Sequence, residues 1–124
     1  MKILITDDSL LIRKVLIRIL SSEGHDLSEA CTGKEACELT EKDSFDLIFM
    51  DLNMPVMGGV EAIKIITSKY DIPIVAISAL DNQSEEIFNA IDAGAKLFLK
   101  KPFDKNGIIK AVKSFDKKFD VIDA

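Results

Sequence analysis

Residues 45–51 read Phe-Asp-Leu-Ile-Phe-Met-Asp, and a loop with Pro55 and the pair Gly58-Gly59 follows them. The run from Phe45 to Met50 is apolar except for Asp46. A short apolar run that turn residues follow is typical of a strand covered on both faces of a parallel sheet. The stretch therefore predicts a central strand, with Asp51 at its carboxyl end.

Similar apolar runs recur along the chain and alternate with helical patterns. We predict five strands, at Ile3–Ile5, Asp26–Cys31, Phe45–Met50, Ile74–Ser78 and Leu97–Leu99. The second has a poor hydrophobic pattern, which favours an edge position. Strands that alternate with helices form parallel sheets with helices on both faces. The predicted fold class is therefore α/β, a three-layer, doubly wound, five-stranded parallel sheet.

Five helices are predicted from capping residues and from apolar residues at helical spacing. Thr32 and Glu35 form a capping box for a helix that runs to about Lys42. The starts of three other helices are marked by Ser9, by Asp104, and by Asp81, Asn82 and Ser84 together. Helix ends are marked by Gly24 and Gly94. The inward faces are predicted to carry Ile12, Val15, Leu16, Ile19 and Leu20, then Ala36 and Leu39, then Val60, Ile63, Ile66 and Thr67, then Ile87 and Ile91, then Ile108, Val112 and Phe115.

Length and composition limit the classes of protein to consider. A chain of 124 residues that is 48% hydrophobic and 30% charged is expected to fold as a single domain over 1–124, with a core at about 3–116 and a short tail. A net charge of −5 argues against direct nucleic-acid binding. We see no signal peptide and no apolar run near the ~20 residues of a membrane span, so we expect a cytoplasmic protein without membrane insertion.

Polar residues follow four of the predicted strands. Asp7 and Asp8 follow the first, Asp51 the third, Ser78 ends the fourth, and Lys101 comes shortly after the fifth. The carboxyl ends of parallel strands share one edge of a sheet, where such folds place their sites. Clustered carboxylates suit Mg²⁺, and a carboxylate beside a metal, a hydroxyl and a lysine suits phosphoryl transfer. The alternative for Asp7, Asp8 and Ser9 taken singly is helix capping.

The chain resembles the receiver domain of response regulators from Ile3 to about Phe115. The segments that carry the resemblance are Asp7-Asp8-Ser9 with Arg13, Asp46 to Gly59, Ile74 to Ala79, Ala93-Gly94-Ala95 and Lys100-Lys101-Pro102-Phe103. The resemblance implies the sheet order 2-1-3-4-5.

The resemblance also implies a role for each site residue. Asp51 is expected to be the phosphoacceptor, with Lys101 paired to the phosphoryl group and Ser78 as the switch hydroxyl. Mg²⁺ is expected on Asp8, on Asp51, on the backbone carbonyl of Asn53 and, through water, on Asp7; no other cofactor is implied. The peptide bond between Lys101 and Pro102 is commonly cis in this family.

Two further positions concern switching and phosphoryl lifetime. Phe98 matches the switch aromatic, for which a plain core strand residue is the alternative. Leu80 and Asn53 are expected to flank the path of the hydrolytic water, and the apolar Leu80 is expected to slow dephosphorylation.

The implied function is a two-component signalling response regulator, a phosphoacceptor switch that catalyses only its own phosphorylation and dephosphorylation. A sensor histidine kinase or phosphotransfer protein would be the donor, and the face of helix 4, strand 5 and helix 5 would bind an unknown protein target. We expect a stand-alone receiver of the chemotaxis type, monomeric or dimerising on phosphorylation. The alternative is a receiver domain excised from a longer transcriptional regulator or hybrid kinase.

Unrelated classes fit the residues less well. A haloacid-dehalogenase-type phosphatase needs a second acid two residues after its nucleophile, where this chain has Asn53. A flavodoxin cradles phosphate in its first loop, where Asp7 and Asp8 would repel it. A receiver-like scaffold without activity would have lost one of the key residues, and none is missing.

Overall fold

A computed structural model of the protein describes residues 1–79 and 85–116. Strands and helices alternate strictly along these ranges. The elements are β1 (Lys2–Thr6), α1 (Leu10–Ser22), β2 (Asp26–Ala30), α2 (Gly33–Lys42), β3 (Leu47–Asp51), α3 (Gly59–Lys69), β4 (Ile74–Ser78), α4 (Glu85–Ala93), β5 (Leu97–Lys100) and α5 (Lys105–Lys113). Within the described ranges, no helix combines the length and the apolar character that crossing a bilayer requires.

The five strands form one parallel sheet in the order β2-β1-β3-β4-β5, as the resemblance implied. The prediction that the second strand lies at an edge is also confirmed. The central strand β3 is buried along its whole length, and it begins two residues later than predicted, at Leu47. Because chain order reverses between β1 and β3, the loops after these two strands open a crevice between them.

Helices cover both faces of the sheet, which confirms the three-layer, doubly wound α/β architecture. Side chains alternate along β3, so that Leu47 and Phe49 pack into one core with α1 and α5. Ile48 and Met50 pack into the other core with α2, α3 and α4. This burial on both faces is the reason that the strand has no polar residue before Asp51.

The predicted caps occupy the helix ends. The Ser9 hydroxyl accepts a hydrogen bond from the Ile12 N–H at 3.3 Å, and the Thr32 hydroxyl accepts one from the Glu35 N–H at 3.0 Å. The Asp104 carboxylate accepts one from the Gly107 N–H at 2.7 Å. Gly24 and Gly94 adopt φ values of +84° and +123° after α1 and α4, a conformation that favours glycine.

Two residues predicted to face inward do not. Val15 is 39% exposed and Ile91 is 50% exposed. In α4 the buried positions are Ile87 and Ala90, because the small Ala90 side chain lies against the core and the larger Ile91 lies beyond its margin. Val15 similarly lies beside the buried Leu16 at the margin of α1. The predicted start signals of α4, Asp81, Asn82 and Ser84, lie outside the described residues.

Candidate functional site

Three carboxylates meet at the carboxyl ends of β1 and β3. Asp7 is fully buried, Asp51 is 2% exposed, and Asp8 is exposed. One carboxylate oxygen from each residue lies within 4.8 Å of those of the other two. The sheet order produces this cluster, because β1 and β3 are neighbours and their ends share one edge.

Lys101 brings a cation to this cluster. Its Nζ lies 3.1 Å from Oδ2 of Asp7 and 3.6 Å from Oδ1 of Asp51. The backbone N–H of Lys101 donates to the carbonyl of Ser78 at 2.7 Å, which ties the end of β5 to the end of β4. The bond between Lys101 and Pro102 is cis, in line with the resemblance. Lys101 therefore extends from the end of β5 past the end of β4 to contact the carboxylates at the ends of β3 and β1.

Backbone hydrogen bonds orient the two buried carboxylates. Oδ1 of Asp7 accepts from the N–H of Ser9 at 2.9 Å, and Oδ1 of Asp51 accepts from the N–H of Asn53 at 3.2 Å. Arg13 on α1 donates to the carbonyl of Asp7 at 2.8 Å and binds Glu29 of β2 at 3.0 Å. The backbone N–H groups of Ser9 and Asn53, which follow β1 and β3, thus fix the orientation of the two carboxylates.

The start of α3 lies directly on the end of β3. The Gly59 N–H donates to the carbonyl of Leu52 at 3.3 Å. A Cβ atom at position 59 would overlap the Asp51 carbonyl oxygen and lie 2.7 Å from Cα of Leu52. Glycine is therefore required here for the backbone of the phosphoacceptor candidate to keep its position.

Burial and charge act together on Asp51. Removal from water and the neighbouring carboxylate of Asp7 raise the pKa of Asp51 to about 7, against the opposing effects of Lys101 and the Asn53 N–H. The raised pKa reflects burial first and then the negative charge of Asp7, which one lysine does not offset. A bound cation would relieve this excess of negative charge.

The residues fit a divalent cation. Oδ2 of Asp7 is buried and, apart from the nearby ammonium of Lys101, has no hydrogen-bond partner among the described residues. Three carboxylates with hard oxygen atoms, one of them open to solvent on Asp8, are the ligands that Mg²⁺ prefers. Within the described ranges, no histidine or cysteine belongs to the cluster, and those are the residues that zinc favours.

The other predicted site residues lie as follows. Ser78 is buried at the end of β4, Asn53 is exposed in the loop after β3, and Phe98 is half-buried against the core on the α4 side. Leu80 lies outside the described residues. The structure therefore brings Asp7, Asp8, Asp51 and Lys101 together. The roles of all the site residues stay predictions.

Sequence reasoning assigned no role to two residues that support the site. Arg13 was recognised as part of the family pattern, but its bridge from Asp7 to Glu29 depends on the pairing of β1 with β2. Gly59 belongs to the segment Asp46 to Gly59 of the family pattern, but the sequence shows it only as part of a glycine pair in a loop. The pair Gly58-Gly59 was the available signal, since glycine is common where one backbone approaches another closely.

Comparisons with known proteins agree with this geometry. Residues 3–113 match the family model described as the response regulator receiver domain. The chain is 40% identical over 112 residues to the transcriptional regulatory protein PdtaR of Mycobacterium tuberculosis, a match that covers 90% of this chain and 54% of that protein. The chain thus spans about half the length of that relative.

Another relative and a solved structure match along nearly their whole length. The chain is 35% identical over 118 residues to the chemotaxis protein CheY of Thermotoga maritima, which covers 94% of this chain and 98% of that protein. The receiver domain of the sensor histidine kinase PA1611 from Pseudomonas aeruginosa, solved with a magnesium ion coordinated in its active site cleft, has a TM-score of 0.85 and 26% identity, over 92% of this chain and 95% of that chain. The chain therefore belongs to the response regulator receiver domain family, the receiver module of two-component signalling.

Proposed function

We propose that the protein is a phosphoryl-accepting switch in which Asp51 takes a phosphoryl group from a phosphohistidine of a sensor histidine kinase or phosphotransfer protein. The observation that carries this proposal is the position of Asp51. Its carboxylate is buried beside the ammonium of Lys101, at 3.6 Å, and within 4.8 Å of two further carboxylates that suit Mg²⁺. We infer that Asp8, Asp51 and the carbonyl of Asn53 hold the ion directly and that Asp7 does so through water.

The chemistry is a transfer between two nucleophiles. An oxygen of the Asp51 carboxylate forms the new P–O bond while the P–N bond of the donor breaks, and the histidine nitrogen keeps the electron pair. Mg²⁺, when bound by these residues, would supply positive charge to the phosphoryl oxygens. The Asn53 N–H donates a hydrogen bond to Oδ1 of Asp51. We infer that Lys101, whose Nζ lies 3.6 Å from the same oxygen, donates hydrogen bonds to the transferred group.

The switch then follows from the new charge. A phosphoryl group adds about −1.5 to −2 charges. We infer that Ser78 and Lys101 close on it and that Phe98 moves into the space that Ser78 leaves. A shift of a 1:99 equilibrium to 99:1 takes about 5.5 kcal/mol, which several charge-assisted hydrogen bonds of about 1.5–3 kcal/mol each would supply.

The proposed output face comprises α4, β5 and α5. Its exposed apolar side chains support this assignment, since Phe88 is 56% and Ile91 50% exposed on α4. Exposed apolar patches on a small domain mark interaction sites. We propose that signalling proceeds by protein binding in the cytoplasm, through a stand-alone receiver, as a monomer or a phosphorylation-dependent dimer, without catalysis on another molecule and without direct nucleic-acid contact. A receiver that works within a longer regulator is the alternative.

Intact mass spectrometry tests the proposal. The protein is incubated with acetyl phosphate and Mg²⁺, beside Asp51→Asn and the matched control Asp46→Asn, which changes an exposed aspartate just before β3. We expect one added phosphoryl group in the wild type and in the control, and none in Asp51→Asn or without Mg²⁺. An adduct that persists in Asp51→Asn would overturn the assignment, as would the absence of any adduct with both acetyl phosphate and a phosphohistidine donor.

A further inference from the structure

The side chain of Arg13 links the first turn of α1 to the ends of β1 and β2. Its Nη1 donates to the carbonyl of Asp7 at 2.8 Å, and its Nε donates to Oε1 of Glu29 at 3.0 Å. The side chain is only 15% exposed. Two donors of one planar guanidinium are therefore bonded to two different partners, which fixes the plane of the group. A lysine has a single nitrogen at its tip and does not reproduce this fork.

The carbonyl that Arg13 holds belongs to the peptide unit between Asp7 and Asp8. On the other side of Asp7, its backbone N–H donates to the carbonyl of Ala30 at 3.1 Å. The backbone around Asp7 is thus tied to β2 twice, directly through Ala30 and indirectly through Arg13 and Glu29. These bonds set the direction in which the chain continues into Asp8.

The Asp8 carboxylate depends on its backbone more than the other two carboxylates do. Those of Asp7 and Asp51 each accept a backbone N–H, and both lie close to the ammonium of Lys101. Asp8 is exposed, and no hydrogen bond or ion pair within residues 1–79 and 85–116 holds its carboxylate. The place of this carboxylate in the cluster is therefore set by the peptide unit that Arg13 holds.

We propose that Arg13 is a positioning residue for the metal site, because it holds the peptide unit between Asp7 and Asp8 so that the Asp8 carboxylate faces the cluster. The proposal rests on the Mg²⁺ site of the proposed function. Groups that orient metal ligands commonly change metal affinity about ten- to hundredfold when they are lost. Arg13 acts through the backbone, since its hydrogen bonds within the described ranges go to the Asp7 carbonyl and to Glu29.

Charge alone leads to the opposite expectation. A guanidinium beside a cation site repels a second cation, and its loss leaves the negative charge of Glu29 without its partner. If Arg13 acted only through its charge, removal of the side chain would strengthen the binding of Mg²⁺. A positioning role predicts weaker binding, so the direction of the change distinguishes the two.

A titration with Mg²⁺ alone tests the proposal on the whole chain. Binding is followed by the shifts of the Asp8 and Asn53 amide signals in NMR spectra, whose dispersion also shows that each variant is folded. The variants are Arg13→Gln, Arg13→Lys and the matched control Arg18→Gln, which removes the same charge from an exposed position further along α1. Because the affinity is measured on folded protein, a loss of stability by itself leaves it unchanged.

We expect Arg13→Gln to raise the Kd for Mg²⁺ about tenfold and Arg18→Gln to leave it unchanged. Arg13→Lys keeps the charge but loses the fork, so we expect it to raise the Kd about threefold. Unchanged or tighter binding in Arg13→Gln would overturn the proposal, as would an equal loss in Arg18→Gln. If Arg13→Gln does not fold, Arg13→Lys decides, and an affinity equal to that of the wild type would then overturn it.

The two proposals fail in different ways. If the wild type and Arg13→Gln bind Mg²⁺ equally and Asp51 accepts a phosphoryl group, the positioning role alone is wrong. If Arg13→Gln weakens Mg²⁺ binding but Asp51 of the wild type accepts no phosphoryl group, the positioning role stands and the phosphoacceptor function fails. A wild type that binds no Mg²⁺ would contradict the metal site and, with it, both proposals.

Discussion

Asp51 is a buried carboxylate, and its ionised form lowers the free energy of unfolding of the protein. Its pKa is raised from an ordinary value of 3.8 to about 7 by burial and by the charge of Asp7. Between these two pH values the folded state binds a proton that the unfolded chain has lost. The contribution of Asp51 to the free energy of unfolding therefore falls as the pH rises from about 4 to about 7, and it stays low above that range.

Asp51→Asn is accordingly expected to stabilise the protein in the absence of metal. Asparagine resembles the protonated acid, so the variant should exceed the wild type by about 1–3 kcal/mol at pH 8, and the two should converge near pH 4. Urea unfolding in the presence of a chelator, followed by circular dichroism at both pH values, measures the difference. Equal stability at pH 8 would show that the pKa of Asp51 is not raised in the folded protein.

Because Gly59 has no side chain, the start of α3 can pack directly against the backbone of Asp51. Gly59→Ala is expected to lower the free energy of unfolding by about 1–3 kcal/mol, because the added Cβ overlaps the Asp51 carbonyl. Gly58→Ala is the matched control, since the nearest atom to its added Cβ is the Leu52 carbonyl oxygen at 3.9 Å. If both variants lost the same stability in urea unfolding, the close approach would not be the cause.

At this scale the sequence predicted the identity of the site residues better than their environment. Asp7, Asp8, Asp51 and Lys101 could be predicted because each follows a strand, and strand ends converge. The raised pKa of Asp51 and the crowding at Gly59 could not, because both depend on distances between segments that are far apart in the chain.

The loop between β3 and α3 holds its shape under local strain. Val56 has a φ of +73°, a conformation that β-branched residues rarely adopt, and its side chain is 81% exposed. The Met57 N–H donates to the carbonyl of Pro55 at 2.8 Å across it, which closes a tight turn. Since the exposed side chain gains little from packing, the strain must be maintained by the fixed ends of the loop.

Val56→Gly is therefore expected to stabilise the protein by about 1 kcal/mol, the relief of strain less the entropy cost of glycine. Val56→Ala is the control, because alanine keeps the unfavourable φ and should change stability by less than about 0.5 kcal/mol. Urea unfolding of the three proteins side by side measures both effects. A glycine variant less stable than the wild type would show that the turn is unstrained.

Among the elements, the hydrophobic pattern predicted the bounds most accurately for a strand that is completely buried. The predicted β4, Ile74–Ser78, agrees with the observed strand in both bounds, because it is apolar up to its last residue, Ser78, and buried on both faces. The inward face of α4 was predicted wrongly at Ile91, since helical spacing alone does not show how far a helix lies from the sheet centre. The sequence did not predict the turn at Val56, because valine rarely adopts a positive φ and so does not indicate one.

At the scale of the whole molecule, charge is distributed unevenly around one fold. The carboxylates gather at the carboxyl ends of β1 and β3, and the lysines gather on β5 and α5, with Lys101 belonging to both regions. Lys101, which follows β5, lies 3.6 Å from Oδ1 of Asp51 and so joins the end of β5 to the carboxylates. The alternation of strands and helices predicted this arrangement in outline, but the charge pattern could be interpreted only after the sheet order was known.

Mapping the phosphorylated residue tests the central claim most directly. The protein is treated with acetyl phosphate and Mg²⁺, the acyl phosphate is reduced with borohydride, and the digested peptides are sequenced by mass spectrometry. The account predicts reduction of the side chain at position 51 alone, with Asp7 and Asp8 unchanged. Reduction at Asp7 or Asp8 would contradict it, as would reduction at none of the three after treatment with acetyl phosphate and with a phosphohistidine donor.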